Sequence, residues 1–183
     1  MLNIPNTLTL LRILAVPLFL SLLVEGEHQA ALVVFIAAGV TDGVDGLIAR
    51  MYDMRTEIGA HLDPLADKLL VISAFIALTI LGAMPQTLMI VVLTRDVLIL
   101  GGYLMTAAVV GKPMEMAPSI AGKLTTFTQL LSITLVLFGL AGWWTVSPFA
   151  LNAVFFTTTI ASFVSGSGYV LRGLTYYQNS VQP

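Results

Sequence analysis

Apolar residues run along the chain in six long blocks, roughly 8–25, 29–49, 63–83, 85–110, 119–141 and 147–171, separated by short polar breaks such as "EGEHQ", "GAMPQ" and "AGWWTVS". A helix needs about 20 mostly apolar residues to cross the hydrocarbon of a bilayer, and each block approaches or exceeds that length. The pattern predicts an all-α integral membrane fold of six transmembrane helices with a short interfacial N-terminal segment. The alternating segments of about ten residues that a membrane barrel requires are missing. No repeat, low-complexity stretch or linker interrupts the blocks, so one membrane domain is expected over 1–183. The first block has Arg12 and Pro17 inside it and no small-x-small site after it, which argues against a cleaved signal.

Composition sharpens this picture. The chain is 57% hydrophobic and only 10% charged, against roughly 25% charged in an ordinary soluble domain, and its mean hydropathy is +0.95. The net charge of −2 and the lack of a basic stripe exclude a nucleic-acid partner. With no cysteine, disulfides and thiol chemistry are excluded as well. Lys and Arg then set orientation. In a six-span layout one side receives both termini and the segments 50–62 and 111–119, with Arg50, Arg55, Lys112 and Arg172, while Arg12 and Lys123 lie just inside neighbouring spans. The three polar breaks on the other side hold no Lys or Arg, so both termini are expected to be cytoplasmic, at the inner membrane if the cell is bacterial. Trp143 and Trp144 fit an interfacial anchor on the far side.

Against this scarcity of charge, "TDGVDGLIARMYDMRTEIGAHLDPLADKLL" (41–70) stands out. On a helix Asp42, Asp45, Gly46 and Ala49 fall at i, i+3, i+4 and i+7, a single face. Gly59, Asp63 and Asp67 do the same at i, i+4 and i+8. A short loop between two helices makes them antiparallel, so four carboxylates are expected to converge near one end. A lone Asp within a span costs about 2.5–3.5 kcal/mol on insertion scales. Arg50 and Lys68 offset part of the charge of four, and two divalent cations would offset all of it. An oxygen-only donor set suits Mg²⁺ or Mn²⁺ better than zinc. A structural ion-pair network, a proton relay and a carboxylate-lined cation transporter remain open at this point. A prenyl-diphosphate enzyme also uses spaced aspartates.

The arrangement Asp42-x-x-Asp45-Gly46-x-x-Ala49-Arg50, eight residues, Gly59-x-x-x-Asp63-x-x-x-Asp67 resembles the signature of the CDP-alcohol phosphatidyltransferases at all eight fixed positions. The resemblance implies a six-span enzyme, active at the cytoplasmic face and homodimeric, that uses CDP-diacylglycerol. It implies that Asp42, Asp45, Asp63 and Asp67 hold two divalent ions against the diphosphate, and that Asp67 is also the general base toward the acceptor hydroxyl. Gly46, Ala49 and Gly59 match positions that pack on the cytidine part, with Arg50 near the nucleotide. "NIPNTLTLLRILAVP", "LDPLADK" and "GKLTTFTQ" resemble the subgroup that makes phosphatidylglycerophosphate, and also the related cardiolipin synthases. "TRDVLIL" leans toward the latter. Glycerol 3-phosphate is the first choice of acceptor and phosphatidylglycerol the second.

A small phosphorylated acceptor needs cations. Arg95 and Lys123 are the candidates, Arg as a bidentate fork and Lys as a point charge. Arg95 also has a purely structural reading, as the partner of Asp96 or of a motif carboxylate. Arg12 either faces the headgroups or reaches the site from the first helix. His61 points about 100° away from its neighbours on a helix and is read as supporting or interfacial rather than a ligand. Asp53, Arg55, Glu57, Glu25, Glu27 and His28 read as solvated.

Overall fold

A computed structural model describes the backbone over residues 4–52, 57–110 and 120–181. Side chains are described over the same residues apart from 4–10, 42–52, 57–67, 103–110, 174, 177 and 179–181. Six helices account for the described chain: α1 (Ile4–Val24), α2 (His28–Tyr52), α3 (Glu57–Ile80), α4 (Gln86–Val110), α5 (Ile120–Leu140) and α6 (Pro148–Val181). Each predicted apolar block is therefore a helix. The boundaries differ at two places. Helix α1 begins at Ile4, so residues 4–7 of the expected interfacial segment form its first turn. Helix α6 continues about ten residues past its apolar block, to Val181. Among the described residues two stretches, Ile120–Leu140 and Pro148–Gly173, are long and apolar enough to cross a membrane. Leu11–Val24, His28–Thr41 and Lys68–Ile80 are shorter apolar stretches.

Glycine closes three of these helices. Gly26, Gly82 and Gly142 have φ of 79°, 72° and 69°, a left-handed conformation that costs a residue with a Cβ roughly 1–2 kcal/mol. After α1, the Glu27 N–H donates to the Leu22 carbonyl at 2.9 Å and the Gly26 N–H to Leu23 at 3.3 Å. After α3, Ala83 donates to Leu78 at 2.9 Å and Gly82 to Thr79 at 3.0 Å. This paired closure satisfies helix-end carbonyls that have no partner within the helix itself. A Cβ at Gly82 would meet nothing within 4 Å. Gly82→Ala should therefore lose about 1 kcal/mol through backbone strain alone, whereas Gly139→Ala, inside α5 with open space around it, should be neutral or stabilising. Thermal unfolding of the two variants in one detergent checks the difference.

The chain forms two compact units. The first holds residues 1–84 and 133–147, and in it α1 packs against both α2 and α3. Its core is apolar at helical spacing, with Leu70, Val71, Ala74, Phe75 and Leu78 from α3 against Phe19 and Leu23 from α1 and Leu32 and Phe35 from α2. The second holds residues 85–132 and 148–183, with α4 packed on α6. Its buried positions are largely polar. Thr125, Thr128, Gln129 and Ser132 make a stripe along α5, and Thr158, Ser162 and Ser165 one along α6, all under 8% exposed. The exposed positions are aromatic instead: Phe127, Phe149, Phe156 and Phe163 are 63–83% exposed. A soluble protein distributes these types the other way round. With lipid as solvent there is no hydrophobic drive between helices, and small hydroxyl residues form the contacts.

Candidate active site

Helix α2 carries Asp42, Asp45, Gly46, Ala49 and Arg50, and helix α3 carries Gly59, Asp63 and Asp67. All eight motif positions thus have helical backbone in the first unit, and the i, i+3, i+4, i+7 and i, i+4, i+8 spacings select one face of each helix. Their side chains lie outside the described residues. The convergence of the four carboxylates, the cytidine contacts of Gly46, Ala49 and Gly59, and the places of Arg50 and His61 all fall there too. So does the loop segment with Asp53 and Arg55. Lys68, one residue past the motif, is half-buried and engaged by a neighbour.

The described surroundings do fix the depth of the motif within its unit. The turn at 25–27 reverses the chain, so α1 and α2 run antiparallel. The Phe19 and Phe35 rings meet at 5.8 Å between centroids and set their register. Seven residues, about two turns, back along α1 and forward along α2 bring Arg12 level with Asp42. Arg12 is buried at 6% exposure and lines a groove of about 200 Å³ with Leu11, Ala15, Val34, Ala37, Ala38 and Thr41. The Thr41 hydroxyl donates to the Ala37 carbonyl at 2.6 Å. Of the two sequence readings for Arg12, headgroup-facing or reaching in, the burial favours the second.

In the second unit α5 and α6 are laced antiparallel by hydroxyls. Thr125 Oγ1 donates to the Ala161 carbonyl at 2.9 Å, Thr158 Oγ1 to the Thr128 carbonyl at 3.1 Å, and Ser132 Oγ meets Thr158 Oγ1 at 3.0 Å. Arg95, 6% exposed on α4, pairs with the buried Asp96 carboxylate at 2.6 Å through one terminal nitrogen. The other terminal nitrogen donates to Ser165 Oγ at 3.1 Å. Its guanidinium carbon also lies 5.9 Å from the Tyr169 ring centre, and that of Arg172 lies 4.8 Å from it. Following α6 one turn from Ala161 to Ser165, and α5 one turn back from Thr125, brings Arg95 level with the first turn of α5, the turn that carries Lys123. Lys123 is exposed. Of the two sequence readings for Arg95, the Asp96 pairing is the one present, and Arg95 has in addition the hydroxyl and the aromatic partner that sequence reasoning missed.

Removing one member of a buried charge pair costs about 3–5 kcal/mol. Arg95→Met is accordingly expected to lower the unfolding midpoint of the purified protein well below that of Lys123→Met, which removes an exposed charge. Equal midpoints would show that the pair contributes nothing to stability.

Comparison with known proteins defines the class. The sequence matches the CDP-alcohol phosphatidyltransferase family over residues 2–164, and the chain belongs to that family. It is 41% identical over 178 residues to a probable phosphatidylglycerophosphate synthase of Mycobacterium tuberculosis, covering 94% of this chain and 82% of that protein. It is 34% identical over 152 residues to the CDP-diacylglycerol–glycerol-3-phosphate 3-phosphatidyltransferase of Bacillus subtilis, covering 75% and 77%. A cardiolipin synthase (CMP-forming) of Streptomyces coelicolor is 32% identical over 162 residues, covering 84% and 72%.

Proposed function

We propose that this chain transfers the phosphatidyl group of CDP-diacylglycerol to glycerol 3-phosphate, giving phosphatidylglycerophosphate and CMP. The observation that carries this reading is the motif from Asp42 to Asp67, set on two consecutive helices of one unit with one-face spacing on each. Relatives named for this reaction, alike across most of their length, support the choice of acceptor. Family membership sets aside the cation transporter and the prenyl-diphosphate enzyme.

Four carboxylates from α2 and α3 are an all-oxygen donor set, which fits two Mg²⁺ or Mn²⁺ ions. Asp42, Asp45, Asp63 and Asp67 would hold them. Bound there, the ions would neutralise the diphosphate and make CMP a better leaving group. The chain's own residues do the rest. Gly46, Ala49 and Gly59 keep the helix faces small where the cytidine packs, and Arg50 pairs with the nucleotide. The acceptor hydroxyl oxygen attacks the phosphatidyl phosphorus, a new P–O bond forms and the P–O bond to CMP breaks. Asp67 takes the hydroxyl proton. Lys123, and Arg95 through donors left beyond Asp96 and Ser165, receive the acceptor's phosphate.

The enzyme is a single membrane domain over 1–183 with six spans, both termini and the site facing the cytoplasm, working as a homodimer. The absence of Lys and Arg from the three breaks closed by Gly26, Gly82 and Gly142 supports that orientation. Phosphatidylglycerol as the acceptor is the second reading, favoured by "TRDVLIL" and by the likeness to a cardiolipin synthase.

Purified protein supplied with CDP-diacylglycerol and glycerol 3-phosphate should release CMP, stop in excess chelator, and resume on addition of Mg²⁺ or Mn²⁺. Undiminished release in chelator would remove the metals from the account.

A further inference from the structure

The seam between α5 and α6 is held by hydroxyls that each have two places to bond. Thr125 Oγ1 lies 2.9 Å from the Ala161 carbonyl across the seam and 2.8 Å from the Ala121 carbonyl of its own helix. Thr158 Oγ1 lies 3.1 Å from the Thr128 carbonyl across the seam and 2.8 Å from the Val154 carbonyl within its helix. Ser132 Oγ lies 3.0 Å from Thr158 Oγ1 across the seam and 2.8 Å from the Thr128 carbonyl of its own helix. A hydroxyl carries one proton, so it donates to one acceptor at a time. Turning the O–H from the facing helix to its own exchanges one bond for another, of the kind helical Ser and Thr commonly make. Parting the helices here costs packing but no hydroxyl its acceptor.

Beside each carbonyl that accepts across the seam stands a polar side chain with nothing to bond. Ser162 follows Ala161, is fully buried, and its hydroxyl has no hydrogen-bond partner. Gln129 follows Thr128, is 1% exposed, and neither atom of its amide has a partner. The Arg95 Nε is buried and unpartnered as well, although both terminal nitrogens of that guanidinium are engaged, one of them by Ser165 a turn beyond Ala161. Buried polar groups are nearly always hydrogen-bonded. Their concentration at one seam marks this packing as one state of two.

We infer that α5 and α6 open and close along this seam, the hydroxyls turning from the facing helix to their own, so that Gln129, Ser162 and the inner side of Arg95 become wetted. In the open state water satisfies the amide, the hydroxyl and Nε–H that the closed state leaves unpaired, which offsets the packing lost. A two-state element of this kind needs two discrete bonding arrangements, and the paired acceptors of Thr125 and Thr158 supply them. The purpose rests on the transferase reading above: a phosphorylated acceptor arrives from water, and Arg95 at 6% exposure is out of its reach while the seam is shut. The existence of the two states rests on the hydrogen bonds alone.

The chain has no cysteine, so introduced thiols report cleanly on the full-length protein. Ser162→Cys should react with a small water-soluble methanethiosulfonate about tenfold or more faster than Ala74→Cys, equally buried in the α3 core, because local opening outruns global unfolding. Ser132→Cys with Thr158→Cys places two sulfurs where the oxygens stand 3.0 Å apart, close to the S–S length of about 2 Å. Oxidised with diamide, this pair should lower CMP release about tenfold or more, the equivalent of about 1.4 kcal/mol, and dithiothreitol should restore it. Ser162→Cys as slow as Ala74→Cys, or a full rate in the cross-linked protein, would overturn the inference. If the cross-link does not form, the labelling ratio decides. A wild-type protein that releases no CMP would overturn the transferase reading instead, and the labelling ratio, which needs no turnover, would still decide whether the seam opens.

Discussion

Asp45→Asn, and equally Asp42→Asn or Asp63→Asn, is expected to lower CMP release by about three orders of magnitude, near 4 kcal/mol of lost transition-state stabilisation. The substitution keeps size and hydrogen-bonding shape but replaces a charged oxygen ligand with a neutral one, so a divalent ion loses both affinity and position. Membrane insertion should not suffer. An ionised Asp costs about 2.5–3.5 kcal/mol within a span, and the amide relieves part of it. The pairing of an intact fold with a dead enzyme is what a metal site predicts, whereas a structural ion-pair network would lose stability along with rate. Detergent-solubilised yield and unfolding midpoint, measured beside the rate, separate the two. Near-wild-type turnover in any of the three at ordinary Mg²⁺ would contradict the assignment.

Asp67→Asn is expected to abolish turnover for a different reason. An amide accepts no proton from the acceptor hydroxyl at neutral pH, so attack stalls even with both substrates in place. Donor affinity should stay within about tenfold of wild type, or 1.4 kcal/mol, as measured by equilibrium binding of CDP-diacylglycerol. If binding instead falls as far as in Asp63→Asn, Asp67 is chiefly a ligand, and the proton must pass to another group.

The helices were legible because each long apolar block is bounded by a polar break, and the positive-φ glycines sit at those breaks. Boundaries were less so. Residues 4–7 read as interfacial because "IPNT" interrupts the apolar run, yet a proline in a helix's first turn gives up no intrahelical bond and the helix starts there. The extension of α6 past its apolar block was hidden because hydropathy ends at the membrane surface while helical hydrogen bonding does not.

The spacing of four aspartates in an apolar chain marked the stretch out, and the resemblance to the family gave it a purpose. The contacts that hold the second unit together were not. Thr125, Thr128, Gln129 and Ser132 recur every three or four residues within "TTFTQLLS", a signal for a polar helix face, but the groups that meet this face from α6, the Ala161 carbonyl at Thr125 and the Thr158 hydroxyl at Thr128 and Ser132, are revealed only by the register. Arg95 shows the same limit. Its pairing with Asp96 was one of two sequence readings, but Ser165 and Tyr169 lie more than sixty residues away along the chain, beyond any local pattern. The level of Arg12 with Asp42 followed only from the Phe19–Phe35 contact.

The most direct measurement of the central claim supplies purified protein with CDP-diacylglycerol labelled in its phosphatidyl part, offers glycerol 3-phosphate and phosphatidylglycerol in parallel, and separates the lipid products. The account predicts labelled phosphatidylglycerophosphate, with CMP released in equal amount, from the glycerol 3-phosphate reaction. Labelled cardiolipin as the sole product, formed only from phosphatidylglycerol, would contradict it.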